Sequence, residues 1–203
     1  MSPVKSRRDM YAEATRAALL EAATKLFAER GFAATSLDDV ARAANVTRGA
    51  VYHHFTNKLA LFTAVFDEQE RQIVERAESV MLQGHEDLWE AALAGVDQFL
   101  DACLEPVYSA IVWREAIGAM GWNAWMEFAE QHSLGLVERS VEVLAAAGLI
   151  DSANRKTTAR LVFHLLGGAG MTLANAENPA ELRPVVGATV RRMISSLRAT
   201  DQS

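Results

Sequence analysis

The stretch SLDDVARAANVTRGAVYHHFTNK, residues 36–58, decides how the rest of the chain is read. Ser36 precedes Asp39 at the capping-box spacing, so a helix starts there with its first amide donors satisfied. Leu37, Val40, Ala41 and Ala44 recur at i, i+3, i+4 and i+7, the spacing of one buried helical stripe. Asn45 stands where the chain must reverse, and asparagine tolerates left-handed backbone better than most residues. Thr47 is placed to cap a second helix whose inward residues are Val51 and Phe55. The spacing predicts two short helices, 36–43 and 47–53, joined by a tight turn and followed by a third that starts near Asn57.

The outer face of the second helix carries Thr47, Arg48, Gly49, Ala50, Tyr52 and His53. Such a face suits phosphates and base edges: arginine for a guanine edge, threonine and tyrosine for phosphate oxygens. A glycine there lets the backbone itself come close. Lys58 opens the next helix, where a cation and free backbone amides together favour an anion. An ordinary helical hairpin with a solvated polar face fits the same spacing.

Residues 35–66, TSLDDVARAANVTRGAVYHHFTNKLALFTAVF, resemble the DNA-binding segment of TetR-family transcriptional regulators. The specific part is the set Gly49, Tyr52, His54, Phe55, Lys58 and Leu61-Phe62. With the preceding helix through Phe27, Gly31 and Thr35, the resemblance covers about the first third of the chain. It implies DNA contacts from Thr47, Arg48, Gly49, Tyr52, His53 and Lys58, to which Ser36 at the start of the motif is added. Val51 and Phe55 would hold the module together. Asn45 departs from the glycine common in the family, a change the turn tolerates. The implied partner is a double-stranded DNA operator, read as a palindrome by a homodimer.

A formal charge of −6 over 203 residues argues against DNA binding only if taken whole. Residues 1–58 hold nine Lys/Arg against six Asp/Glu, a net +3, and residues 59–203 eleven against twenty, a net −9. The basic share therefore lies with the DNA-facing module. Cys103, the only cysteine, has no partner for an internal disulfide and reads as a small buried hydrophobe in a reducing compartment. Residues 1–8 form a basic arm with no apolar run after it, so they are no secretory signal. The longest apolar run, 161–176, is interrupted by His164, Thr172 and Asn175 and falls short of a membrane span. The expected location is cytoplasmic, with no membrane partner.

Helical periodicity continues throughout: 9–30 closed by Gly31, then 57–82, 86–104 ended or kinked by Pro106, 107–120, 122–147, 154–177 and 180–200. The fold class is all-α with about nine helices, divided into a helix-turn-helix unit over 1–56 (motif about 36–55) and a helical remainder over 57–203. Glycines inside a helix cost roughly 1 kcal/mol each relative to alanine, so Gly167, Gly168 and Gly170 call for close helix–helix approach. Packing of the last two helices against a second copy as half of a four-helix bundle predicts a dimer interface of Phe163, Gly167, Gly170, Val190, Met193, Ile194 and Leu197.

Three of the four tryptophans fall between residues 113 and 125, among Phe99, Tyr108, Met120, Met126 and Phe128. Core packing accounts for any one of them singly; the cluster is more than a small bundle needs. An apolar cavity with a few polar groups is what a small-molecule site requires. Phe99, Cys103, Trp113, Met120, Trp122, Trp125, Phe128 and His164 are the candidate lining, with Arg114, Glu115 and Asn123 as further polar groups. The resemblance implies that the carboxy-terminal helices enclose an effector and dimerise. The expected function is a repressor released by a small apolar or amphipathic molecule; a ligand-independent regulator or an activator would use the same DNA-binding module.

Enzymatic chemistry finds little support. Gly167-Gly168-Ala169-Gly170 imitates a phosphate loop, but no strand precedes it and no lysine follows. The five histidines have no metal spacing, and Glu127 with Glu130 reads as a solvated helix face. No catalytic residue, metal or cofactor is expected.

Overall fold

The computed structural model describes residues 7–151 and 153–199. Nine helices account for their regular structure: α1 Arg7–Ala34, α2 Leu37–Ala43, α3 Arg48–His54, α4 Lys58–Met81, α5 Leu88–Ala102, α6 over 106–120, α7 over 122–146, α8 Arg155–Ala174 and α9 Pro179–Ser195. Among the described residues there is no strand, only an isolated bridge between Ile150 and Arg198. Most of the arm read over residues 1–8 lies outside the described residues.

Local chemistry explains the boundaries. Gly31 interrupts α1 with φ 81°, a conformation that costs other residues a Cβ clash. Thr35 then turns inward and donates its hydroxyl to the Gly31 carbonyl at 2.9 Å. Ser36 and Asp39 cap each other's amides at the start of α2, as their spacing predicts. Asn45 takes φ 53°, and the amides of Asn45 and Val46 return to Arg42 and Ala41, the paired bonds that close a helix through a left-handed residue. Pro106, expected to end or kink the helix before it, instead opens α6 at the first position, where its missing N–H costs nothing.

α1 and α4 are joined by a ring cluster. Phe27 and Phe62 meet edge to face at 5.1 Å, and Phe32 closes on Phe62 at 5.2 Å. The buried stripe of α4, from Leu61 and Phe62 through Phe66 to Ile73 and Ala77, runs from this cluster into the carboxy-terminal bundle. One long helix thus serves both halves of the chain.

In that bundle Arg183 and Arg191 of α9 both pair with Asp97 of α5. Burial pushes the Asp97 carboxyl up, but hydrogen bonds from the two guanidinium groups outweigh it and leave the carboxyl below its ordinary range. Its contribution to stability is present above the ordinary carboxylate range and is lost as pH falls through the lowered value. Asp97→Asn is expected to cost about 1–3 kcal/mol at pH 7. Thermal melts should show that difference narrowing as the pH falls below the ordinary carboxylate range, where the wild-type carboxyl also becomes protonated.

Candidate functional site: an exposed helix edge and an enclosed cavity

Ser36, Thr47, Arg48, Gly49, Tyr52 and His53 are all exposed, on one side of the α2–α3 pair. Val51 and Phe55 are buried behind them and fix α3 against the core. Thr47 is held in place as the α3 cap, its hydroxyl accepting from the Ala50 amide at 3.2 Å. Arg48 lies over the Tyr52 ring at 5.4 Å and pairs with Asp38 at 3.2 Å. Both partners of that pair are half exposed, so a phosphate or base edge displaces Asp38 at little cost. A Cβ built at Gly49 has no neighbour nearer than the Thr47 hydroxyl at 3.9 Å. The protomer itself therefore makes no demand for glycine there.

Lys58 differs from the expectation of a phosphate contact. Its ammonium is taken up by the carbonyls of Phe32 at 2.7 Å and Ala33 at 3.3 Å, and it sits 4.3 Å from the centre of the Phe32 ring. The turn after Gly31 leaves these carbonyls without helical donors, and the lysine satisfies them. In the preceding peptide the Phe32 amide donates to Glu115 of α6 at 2.7 Å. Sequence reading named Glu115 only as a possible cavity group.

A cavity of about 320 Å³ opens between α4, α5, α6, α7 and α8, with Ile194 of α9 and Leu197 just after it completing the wall. Phe99, Trp113, Trp122, Trp125 and His164 of the predicted set line it. Trp122 and His164, both exposed, stand at its rim. Cys103, Met120 and Phe128 do not line it, which corrects their assignment. Cys103 is buried behind the wall, its thiol pushed up by burial and inert. Met120 packs on the core, and Phe128 is turned against Phe66 at 6.2 Å.

Two wide helical turns build the wall, Ser109–Glu115 in α6 and Glu130–Leu134 in α7. Such π-turns displace side chains from ordinary register and recur at functional sites. The first delivers Val112 and Trp113 to the cavity and ends at Glu115; the second delivers Ser133. Trp125 donates its indole N–H to the Val112 carbonyl at 3.0 Å, bracing the first turn from within. Gly170 leaves room for Trp113: a Cβ there would run into the indole ring. The close approach expected of the α8 glycines is thus helix to indole. Nothing described lies within 4 Å of a Cβ placed at Gly167 or Gly168.

Sequence reasoning missed Glu70, which lies in the wall and is buried. Tyr108 and Ser133 each donate a hydroxyl to one of its carboxyl oxygens, both at 2.8 Å. Burial, opposed by these bonds, pushes the carboxyl up toward the neutral acid. The available signal was position: Phe66, Glu70, Ile73 and Ala77 form one stripe, and the acid stands where an apolar residue belongs.

Of the residues assigned to a dimer interface, Phe163, Gly167, Gly170, Val190 and Ile194 are spent inside the protomer. Phe163, Gly167 and Ile194 line the cavity, and Val190 is in the core. Met193 and Leu197 reach the surface, as do Leu161 of α8 and Val185 of α9. The predicted set thus mixes side chains that face the protomer's interior with two, Met193 and Leu197, that face out.

Two family models match the chain: "Bacterial regulatory proteins, tetR family" over residues 19–65, and "Tetracyclin repressor-like, C-terminal domain" over residues 89–197. The chain belongs to the TetR family. It is 28% identical over 174 residues to the transposon Tn10 TetC protein of Escherichia coli, covering 84% of each chain. A TetR-family transcriptional regulator from Pectobacterium atrosepticum has the same fold, with a TM-score of 0.83, 30% identity, and 97% and 99% of the two chains covered. SmeT in complex with triclosan shares the fold at a TM-score of 0.72 and 22% identity, with 93% of both chains covered. The protein is a DNA-binding transcriptional regulator, and the exposed edge of α3 lies within the matched amino-terminal segment. Among the described residues no helix is long and apolar enough to cross a membrane.

Gly49→Ala separates folding from DNA contact. Thermal stability is expected to hold or rise by up to about 1 kcal/mol, because alanine favours the helix. Operator affinity, measured by fluorescence anisotropy, is expected to fall by roughly 1 kcal/mol or more as the methyl group holds the backbone away from DNA.

Proposed function

We propose that this regulator is a cytoplasmic homodimeric repressor that leaves a palindromic operator when a small apolar or amphipathic molecule fills the cavity. In this reading residues 1–56 form the DNA-binding unit, and residues 57–203 hold the effector and the dimer contact. Arg48, with Thr47, Gly49, Tyr52 and His53, faces the major groove, and Ser36 faces a flanking phosphate. Two copies of α3 enter successive grooves about 34–36 Å apart. Repression follows from occupancy, since a dimer seated on a promoter excludes other proteins from it.

The observation that carries this reading is the bond from the Phe32 amide to Glu115. The turn that brings Trp113 to the cavity ends at Glu115, and Glu115 holds the peptide just before the DNA-binding motif. Filling the cavity moves Trp113, the turn moves with it, and the separation of the two α3 helices changes. The effector must favour one arrangement over the other, because equal affinity for both would shift nothing. For the dimer, Leu161 on α8, Val185 and Met193 on α9, and Leu197 just beyond its end, which also edges the cavity, offer exposed apolar side chains. Two such sets make the core of a four-helix contact.

A mobility-shift assay with the DNA upstream of the protein's own reading frame tests the reading. A specific complex is expected, dispersed by compounds that quench the cavity tryptophans; no specific complex would overturn it. Arg48→Ala is expected to relax preference at one base position by about 1–3 kcal/mol. Glu115→Ala is expected to bind DNA and cavity ligand separately while losing most of a coupling of about 1–3 kcal/mol between them. Titrating the ligand into the variant's DNA complex measures that loss.

A further inference from the structure

The cavity's charge is one-sided. Among the described residues of its wall none is lysine or arginine, and Glu70 is the one carboxyl group. An anionic ligand would leave water without a counter-charge. A neutral apolar ligand would find the walls it needs but would make no use of Glu70. A buried acid also costs stability relative to the apolar residue its helical position invites. Tyr108 and Ser133 hold one oxygen each, so the carboxyl is fixed in place with further lone pairs open. Phe99, Trp113 and Trp125 line the same cavity, and Trp113 meets the ring of Tyr108, the residue bonded to Glu70, at 6.4 Å; aromatic rings attract a cation.

We propose that the cavity is built for a lipophilic cation, an apolar body bearing a single ammonium or comparable positive group whose charge lies against Glu70 within the aromatic wall. This rests on the effector role assigned to the cavity above and names the chemistry of the effector. Burial favours the neutral acid while the cavity lacks a cation. When the cation enters, Glu70 gives up its proton to solvent and the carboxylate pairs with the ligand, so one positive charge is exchanged for another. The charged and titratable groups nearby are Asp67 and His132, which pair with each other at 3.1 Å, and Tyr108, Cys103, Arg76 and Glu105. Arg76 is already held by both oxygens of Glu105. Of these only Tyr108 lines the cavity; His164 also lines it, at the exposed rim, so Glu70 is the one acid a ligand meets inside.

Decyltrimethylammonium, decanol and decanoate carry one chain length under cationic, neutral and anionic heads. Calorimetry and tryptophan quenching on the full-length dimer are expected to rank the cation tightest by at least about tenfold. Glu70→Gln keeps the size and the bond from Tyr108 and lets the amide donate to the Ser133 hydroxyl instead of accepting from it; it is expected to abolish that preference while leaving decanol affinity within about twofold. Should the variant fail to fold, the wild type still decides. Binding of decyltrimethylammonium just above the ordinary carboxylate range, compared in buffers of different ionisation enthalpy, is expected to release protons, whereas decanol releases none. Decanol or decanoate binding as tightly as the cation, a preference that survives Glu70→Gln, or cation binding without proton release would overturn the assignment and leave the effector cavity standing. If none of the three bound or altered tryptophan emission, the effector role of the cavity would itself fall.

Discussion

One residue, Phe32, is held through both of its backbone polar groups, and the relation between the two halves of the molecule depends on it. Its amide is bonded to Glu115 of α6 and its carbonyl to Lys58 of α4. Gly31 makes this possible by turning the chain out of α1 with a backbone angle that other residues resist, and the Glu115 carboxylate fills the space where a Cβ would lie. The Phe32 ring packs on Phe27 and Phe62 beneath the same ammonium that binds its carbonyl. The start of the DNA-binding motif is thus fixed to the wall of the cavity by directional bonds as well as by apolar packing.

That arrangement rests on the first of the two wide turns. A regular α-helix through residues 109–115 would place Trp113 and Glu115 in a different angular relation. The π-turn lets one reach the cavity while the other reaches Phe32. A device of this kind needs one end to be rigid. The ring cluster and the Trp125 bond to Val112 supply that rigidity, so displacement of the indole has few ways to dissipate before it reaches the turn.

Much of this was legible in the residues alone, and the exceptions have physical causes. Caps, turn residues and helical stripes act locally, so Ser36, Asn45, Thr47 and the exposed edge of α3 stand where their spacing puts them. Lys58 did not, because the carbonyls it satisfies belong to residues more than twenty positions away, and charge sign does not reveal a partner. Phe163, Gly167, Gly170, Val190 and Ile194, read as interface residues, face inward for a related reason. Periodicity shows which residues share a side, whereas the choice between interior and partner depends on a cavity that draws the larger stripe inward. Glu70 was legible in principle as the one acid in an apolar stripe, and Glu115 was not, since nothing local distinguishes it from a solvated helix residue.

The most direct test of the account is the distance between the two recognition helices. Spin labels placed at His53→Cys in the dimer, with buried Cys103 unreactive, report that distance by pulsed electron resonance. The account predicts a distribution near the spacing of one duplex turn, about 34–36 Å plus the label tethers, for the DNA-bound protein. It predicts a displaced distribution once a ligand that quenches the cavity tryptophans is added. One unchanged distribution with the cavity full, or no interprotomer signal at all, would contradict it.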